Sequence, residues 1–155
     1  MNPDLEALIR AAAARHQLPL ALVRAIVRVE SSEDPNAMRY EPAFFERYVR
    51  QKGHRVWPGC SRPTEERLRA FSFGLMQIMG QTAREVGFQG AFLTALLDPA
   101  TNLDWGCRYL VTLYQRHSDS EAVAAAYNAG SARKGPDGRW RNQEYVDKIR
   151  RSGGL

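Results

Sequence analysis

The sequence predicts a single, compact, mainly helical domain with at most one small hairpin. Three observations lead there. Apolar residues recur at i, i+3, i+4 and i+7 along most of the chain, helix start and stop signals punctuate that pattern, and the alternation a strand needs is nearly absent. With 155 residues there is enough chain for one core and too little for two, so one unit over residues 1–155 is expected.

The elements follow in order. A first helix is predicted from about Pro3 to His16, with alanines over its second half, and a second from about Pro19 to Ser31, stopped by the breakers of "SSEDPNA". "PAFFERYVRQ" gives a third, Pro42 to Gln51. "QKGHRVWPGCSRPTEE" carries Gly53, Pro58, Gly59 and Pro63 and reads as irregular and exposed, with a short helix through Leu68 and Ala70 after it. "FSFGLMQIMGQTAREVG" reads as helical pieces interrupted at Gly80. Asp98-Pro99 starts a long helix to about His117. Ser118 and Glu121 have capping-box spacing before "AVAAAYNAG", and Gly130 ends that helix. "KGPDGRW" is a turn or small hairpin, and "NQEYVDKIRRS" a closing helix.

Composition narrows the function classes. Hydrophobic content of 44% and charged content of 25% are ordinary for a soluble globular protein and give no sign of disorder. No apolar run is long enough to span a bilayer, and the N-terminal stretch has acids and an arginine where a signal peptide has its apolar centre. A net charge of +5 suits an anionic polymer or envelope, but the arginines are spread out, so no nucleic-acid partner is expected. Cys60 and Cys107 lack metal-ligand spacing and read as ordinary thiols, with one bridge left open. Neither metal nor organic cofactor is expected, and the chain is read as a monomer.

One charged residue breaks the helical pattern. Val23, Ile26, Val27 and Glu30 share one stripe of the second helix, so Glu30 lies among core positions in the last turn. Partial burial and the negative end of the helix dipole both disfavour its charged form and raise its pKa. A carboxyl that keeps its proton near neutral pH is what a general acid requires. The stripe alone leaves open a Glu that frays outward with the helix end.

Three short stretches occur in order: "VES" ending at Ser31, "FGLMQIM" from Phe73 to Met79, and "AAYNAG" from Ala125 to Gly130, followed by "EYVDKI" with Tyr145. Together they resemble the catalytic domain of soluble lytic transglycosylases, a branch of the lysozyme-like α+β superfamily, over roughly Leu18 to Arg151. The resemblance implies peptidoglycan glycan strands as substrate. It implies that Glu30 protonates the oxygen between N-acetylmuramic acid and N-acetylglucosamine, then accepts the muramic acid C6 hydroxyl proton as a 1,6-anhydro ring closes. The substrate's acetamido group then takes the part of a second carboxylate.

The same resemblance assigns further residues. Ser31 either holds the Glu or contacts sugar, or is only a helix-end hydroxyl. Met76 and Gln77 line the cleft, the thioether under a sugar face and the amide bonded to N-acetyl or hydroxyl groups. Tyr127 brings its hydroxyl to Glu30, although its spacing from Val123 also suits plain core. Asn128 ties the backbone at the helix end or touches substrate, and Tyr145 stacks on sugar or joins the core.

Several departures stand out. A segment of about residues 39–71 is inserted between Glu30 and Gly74 and is expected to wall or lid the cleft, bringing Tyr40 and Glu41. Glu41 is a possible second carboxylate: across from Glu30 it would activate water and make the enzyme a hydrolytic muramidase like goose-type lysozymes, with Asp34 as another base. Gly80 stands where the family commonly has proline, and Arg141 where it has an acid. A third reading is a non-catalytic helical module that binds a polyanion through its arginines. Action on the cell wall without a visible signal peptide points to a phage-released or virion-associated enzyme, or to delivery by specialised secretion.

Overall fold

The computed structural model describes residues 3–155, so the first two positions of the expected 1–155 unit lie outside the described residues. The helices are α1 (Pro3–Arg15), α2 (Leu20–Ser31), α3 (Pro42–Phe44), which runs into a π-helical turn Phe45–Val49, and α4 (Arg62–Arg69). They continue with α5 (Gly80–Glu85), a 3₁₀ turn Leu93–Leu97, α6 (Pro99–Tyr114), α7 (Ser120–Ala129) and α8 (Gln143–Arg151). No helix among the described residues is long and apolar enough to cross a membrane.

Local chemistry sets most of these boundaries. Asp98 caps α6 by accepting the Thr101 N–H at 2.8 Å, and Pro99 occupies the first turn. Helix α7 is capped by Asp119, which accepts the Ala122 N–H at 2.9 Å, so its start lies one residue beyond the Ser118 box read from the sequence. Gly130 ends it at φ 71°. The expected small hairpin at "KGPDGRW" is a tight loop closed by a single bridge between Lys134 and Trp140.

The sequence reading missed a sheet. Strands β1 (Met38–Tyr40), β2 (Phe71–Phe73) and β3 (Ile78–Met79) form a three-stranded antiparallel sheet in the order β1-β2-β3. Arg39 faces Ser72, and Phe73 faces both Met38 and Ile78. "FSFGLMQIM" is thus a β-hairpin with a turn at residues 74–77, not a run of helical pieces.

One core joins α1, α2, α6, α7 and α8 through Ile9, Leu22, Ile26, Leu103, Leu110, Val123 and Ile149, all buried. A second lies under the sheet, where Phe73, Ile78, Phe88, Leu93 and Leu96 meet. Residues 41–70 leave and rejoin the sheet between adjacent strands. Their base is closed by the Glu41 N–H donating to Ala70 O at 2.9 Å, and Phe45, Val49 and Ala70 give them a small core of their own. Gly80 is explained by this segment: a Cβ there would come within 2.4 Å of the Leu68 carbonyl, so the close approach of α4 admits no side chain. Cys107 is buried in the main core and Cys60 lies half-buried elsewhere; both are free thiols, so the optional bridge is not made.

Candidate active site

Glu30 sits in the last turn of α2, which ends as Ser32 turns left-handed at φ 54° and donates its N–H to Arg28 O at 3.1 Å. The side chain faces a cleft of about 510 Å³ that Arg39, Glu41, Ser72, Gln77, Tyr109, Tyr127 and Asn128 also line. Tyr145, from the first turn of α8, donates its hydroxyl to Glu30 Oε1 at 2.7 Å. Burial pushes the Glu30 carboxyl above the ordinary range; the Tyr145 hydrogen bond and the charge of Arg39 pull the other way without cancelling it. Burial, followed by the neighbouring Glu30 charge, also raises the Tyr145 phenol, so it stays a donor.

Behind Glu30 the three motif stretches are joined by hydrogen bonds through the turn of the β2–β3 hairpin. Ser31 Oγ is 2.9 Å from Leu75 O and 3.0 Å from Val27 O, tying the end of α2 to the turn. Tyr127 donates its hydroxyl to Met76 O at 2.7 Å. Asn102, fully buried in α6, accepts the Met76 N–H at 2.8 Å and donates to Phe73 O and Leu96 O. Gly74 has φ 63°, and a Cβ on it would meet Asn102 Nδ2 at 2.6 Å, so both conformation and space require glycine. The G-L-M-Q stretch therefore works through its backbone.

Several assignments change accordingly. Met76 is fully buried, its sulfur seated where a Cβ on Gly106 would be, so the thioether belongs to the core and cannot support a sugar face. Gln77 lines the cleft, but both ends of its amide are engaged within the protein: Nε2 donates to Ala37 O and Gly74 O, and Oε1 accepts from Ser72 Oγ. Tyr127 lies near enough to Glu30 to feel its charge, but its hydroxyl goes to Met76 O; the hydroxyl bonded to Glu30 is that of Tyr145, which is buried and so does not stack on sugar. Tyr127 still lines the cleft, its ring 5.3 Å from that of Tyr109. Asn128 accepts from Asn142 Nδ2 at 2.9 Å, linking α7 to the start of α8.

Glu41 lines the same cleft as Glu30, and its Oε1 lies 2.5 Å from Arg39 Nε. Asp34 accepts the Asn36 N–H at 2.9 Å and does not line the cleft. Sequence reasoning missed Arg39, Asn102 and the Phe44–Tyr48 pair, whose rings lie 4.9 Å apart at the cleft wall. An Asn inside the long α6 pattern was the one signal available for Asn102.

Residues 7–151 match the family model described as Transglycosylase SLT domain. No curated protein is significantly similar to the chain.

Proposed function

The chain belongs to the transglycosylase SLT domain family, whose substrate is peptidoglycan in the cell wall, and from that premise we propose a single-carboxylate lytic reaction at Glu30. The protonated Glu30 gives its proton to the β-1,4 glycosidic oxygen as the bond from muramic acid C1 breaks and the N-acetylglucosamine hydroxyl departs. The muramic acid acetamido oxygen supports the cationic C1. The Glu30 carboxylate then takes the proton of the C6 hydroxyl, whose oxygen bonds to C1 and closes the 1,6-anhydro ring. Protons balance, Glu30 ends as it began, and no water enters.

The observation that carries this reading is the setting of Glu30: a carboxyl open to the cleft, raised by burial, and hydrogen-bonded by a phenol. Such a group keeps its proton to higher pH than an ordinary carboxyl, which suits an acid that must also accept the proton back. Arg39 bridges the neighbourhoods of Glu30 and Glu41, lowering the first by its charge and pairing with the second. With that cation on its carboxylate, Glu41 is better suited to the cleft wall than to activating water.

Digestion of purified peptidoglycan, with mass spectrometry of the muramic acid termini, tests the reading. Ends lighter by one water are expected. Reducing ends would reject it in favour of hydrolysis, with Glu41 as the base to replace next.

A further inference from the structure

The cleft does not stop at Glu30. A second cavity of about 600 Å³ shares Phe44, Tyr48, Thr82, Tyr109 and Gly130 with it, so the two form one continuous groove. Beyond the shared residues this cavity is walled by Lys52 and His54, from the loop after the π-helical turn, and by Arg116, just past α6. Lys52 and Arg116 are exposed, and neither makes an ion pair among the described residues. The acid in the wall, Glu85, accepts from Gln81 Nε2 at 2.8 Å, and His54 Nε2 lies 3.2 Å from Tyr48 O. Tyr48 is 47% exposed, with its ring against Phe44 and the Arg47 guanidinium 5.1 Å from its centroid.

An exposed, fixed aromatic face in a polar groove suits the apolar face of a sugar ring. Two exposed cations beyond it ask for anions, and a glycan without stems offers only the single lactyl carboxylate of each muramic acid. The peptide stems on muramic acid end in carboxylates and offer several. We propose that the second cavity takes a peptide-bearing muramyl unit away from the bond at Glu30, with Tyr48 under its sugar and Lys52 and Arg116 facing the stem's carboxylates. The inference rests on peptidoglycan being the substrate, and it makes stem-bearing strands the preferred ones.

The test is a binding titration on the full chain carrying Glu30→Gln, which holds strands without cutting them. Short glycan strands are compared with and without their stems, the latter prepared with an amidase. Stem-bearing strands should bind about tenfold more tightly, as two charge-assisted contacts imply. Adding Lys52→Ala and Arg116→Ala should remove most of that ratio, and so should high salt. Tyr48→Ala should weaken both kinds of strand and leave the ratio in place. Equal binding of the two strands, or a ratio indifferent to Lys52 and Arg116, would overturn the proposal. So would a soluble teichoic-acid polymer displacing stem-free strands from the parent but not from the alanine variant, which would assign the cations to wall phosphates. Because nothing is cut in this titration, a failed digestion rejects the role of Glu30 separately from the role of the cavity.

Discussion

Glu30, half-buried in the last turn of α2, and Glu65, fully buried in the first turn of α4, have surroundings that differ in kind. Glu65 is fully buried and takes a bidentate pair from Arg84, with Nε and Nη2 both at 2.9 Å. Arg69 Nε lies 3.0 Å away as a second cation, although that N–H is not aligned for a hydrogen bond. Trp57 covers the cluster, 3.7 Å from the Arg84 guanidinium, and α4 presents its positive end to the carboxylate. Glu30 has the opposite setting: a helix C-terminus, a phenol as hydrogen-bond partner and an open cleft in front. Burial is common to both, so it does not decide what a carboxylate is for. The partners differ: two guanidiniums fix Glu65 as a tether between α4 and α5, while Glu30 has the Tyr145 hydroxyl as its hydrogen-bond partner and only the more distant charge of Arg39, a setting that suits the proton exchange proposed for it.

The same substitution at the two sites should therefore have opposite consequences. Glu30→Gln is expected to lower peptidoglycan cleavage by about 10³-fold or more, since it removes the one group that serves as acid and base in the proposed reaction. It should not destabilise the fold. The Glu30 pKa is raised above the ordinary 4.5, so the folded protein binds more protons than the unfolded chain between 4.5 and the folded value. Stability from this group is complete below 4.5 and is lost as pH rises through that window. Glutamine has nothing to lose, so the Tm of Glu30→Gln minus that of the parent should grow as pH rises from 4 and then level off. A difference that shrinks with pH would mean that Glu30 is better stabilised as an anion.

Glu65→Gln should instead cost about 3 kcal/mol in urea unfolding, because it leaves two buried guanidiniums without their counter-charge. The loss should be felt first where residues 41–70 dock, since α4 meets α5 through this cluster. Unchanged stability would show that Gln81 and the backbone carbonyls of residues 55, 88 and 90, which already accept from Arg69 and Arg84, satisfy both cations unaided.

The two sites were not equally legible in the sequence. Glu30 was found because it broke a helical stripe and headed a run of short motifs, and both signals are local. Glu65 gave no signal: in "RPTEERLR" it is one acid among exposed-looking charges, and its partner lies nineteen residues on in another helix. The helices were legible from Pro and Gly punctuation at Pro42, Pro99 and Gly130. The sheet was not, because strands of two or three residues are too short for alternation to show, and Leu75 and Met76 are good helix formers. The hydroxyl partners of Tyr127 and Tyr145 were hidden because neither is local. The spacing of Tyr127 from Val123 suited plain core, while its bond to Met76 O spans 51 residues and that of Tyr145 to Glu30 spans 115.

Tyr145→Phe sharpens the comparison from the side of Glu30 alone. The phenol's hydrogen bond lowers the Glu30 pKa against burial, so its removal should raise that pKa further. In the proposed reaction cleavage starts from protonated Glu30, so its decline at high pH should then move to higher pH, measured as kcat/KM against pH on a soluble strand. A tyrosine that only filled space would leave the profile in place and lower the rate uniformly.

The smallest effect is expected at Ser31, the chain neighbour of Glu30. Its hydroxyl lies within reach of Val27 O and Leu75 O, and it can donate fully to only one of them. Leu75 O is the contact that matters for the site, since it fixes the hairpin turn against the end of α2. Val27 O is a helix carbonyl with a backbone partner of its own. Ser31→Ala should cost about 1 kcal/mol of stability, the size of one partly buried hydrogen bond. It should lower cleavage modestly while leaving the pH profile where it was, because the hydroxyl does not touch the Glu30 carboxyl. A shift of the profile in Ser31→Ala would place this hydroxyl on the carboxyl during the reaction and make Tyr145 one of two donors. The contrast with Glu65 would then be one of degree, a carboxylate with hydroxyl partners set against one with guanidinium partners.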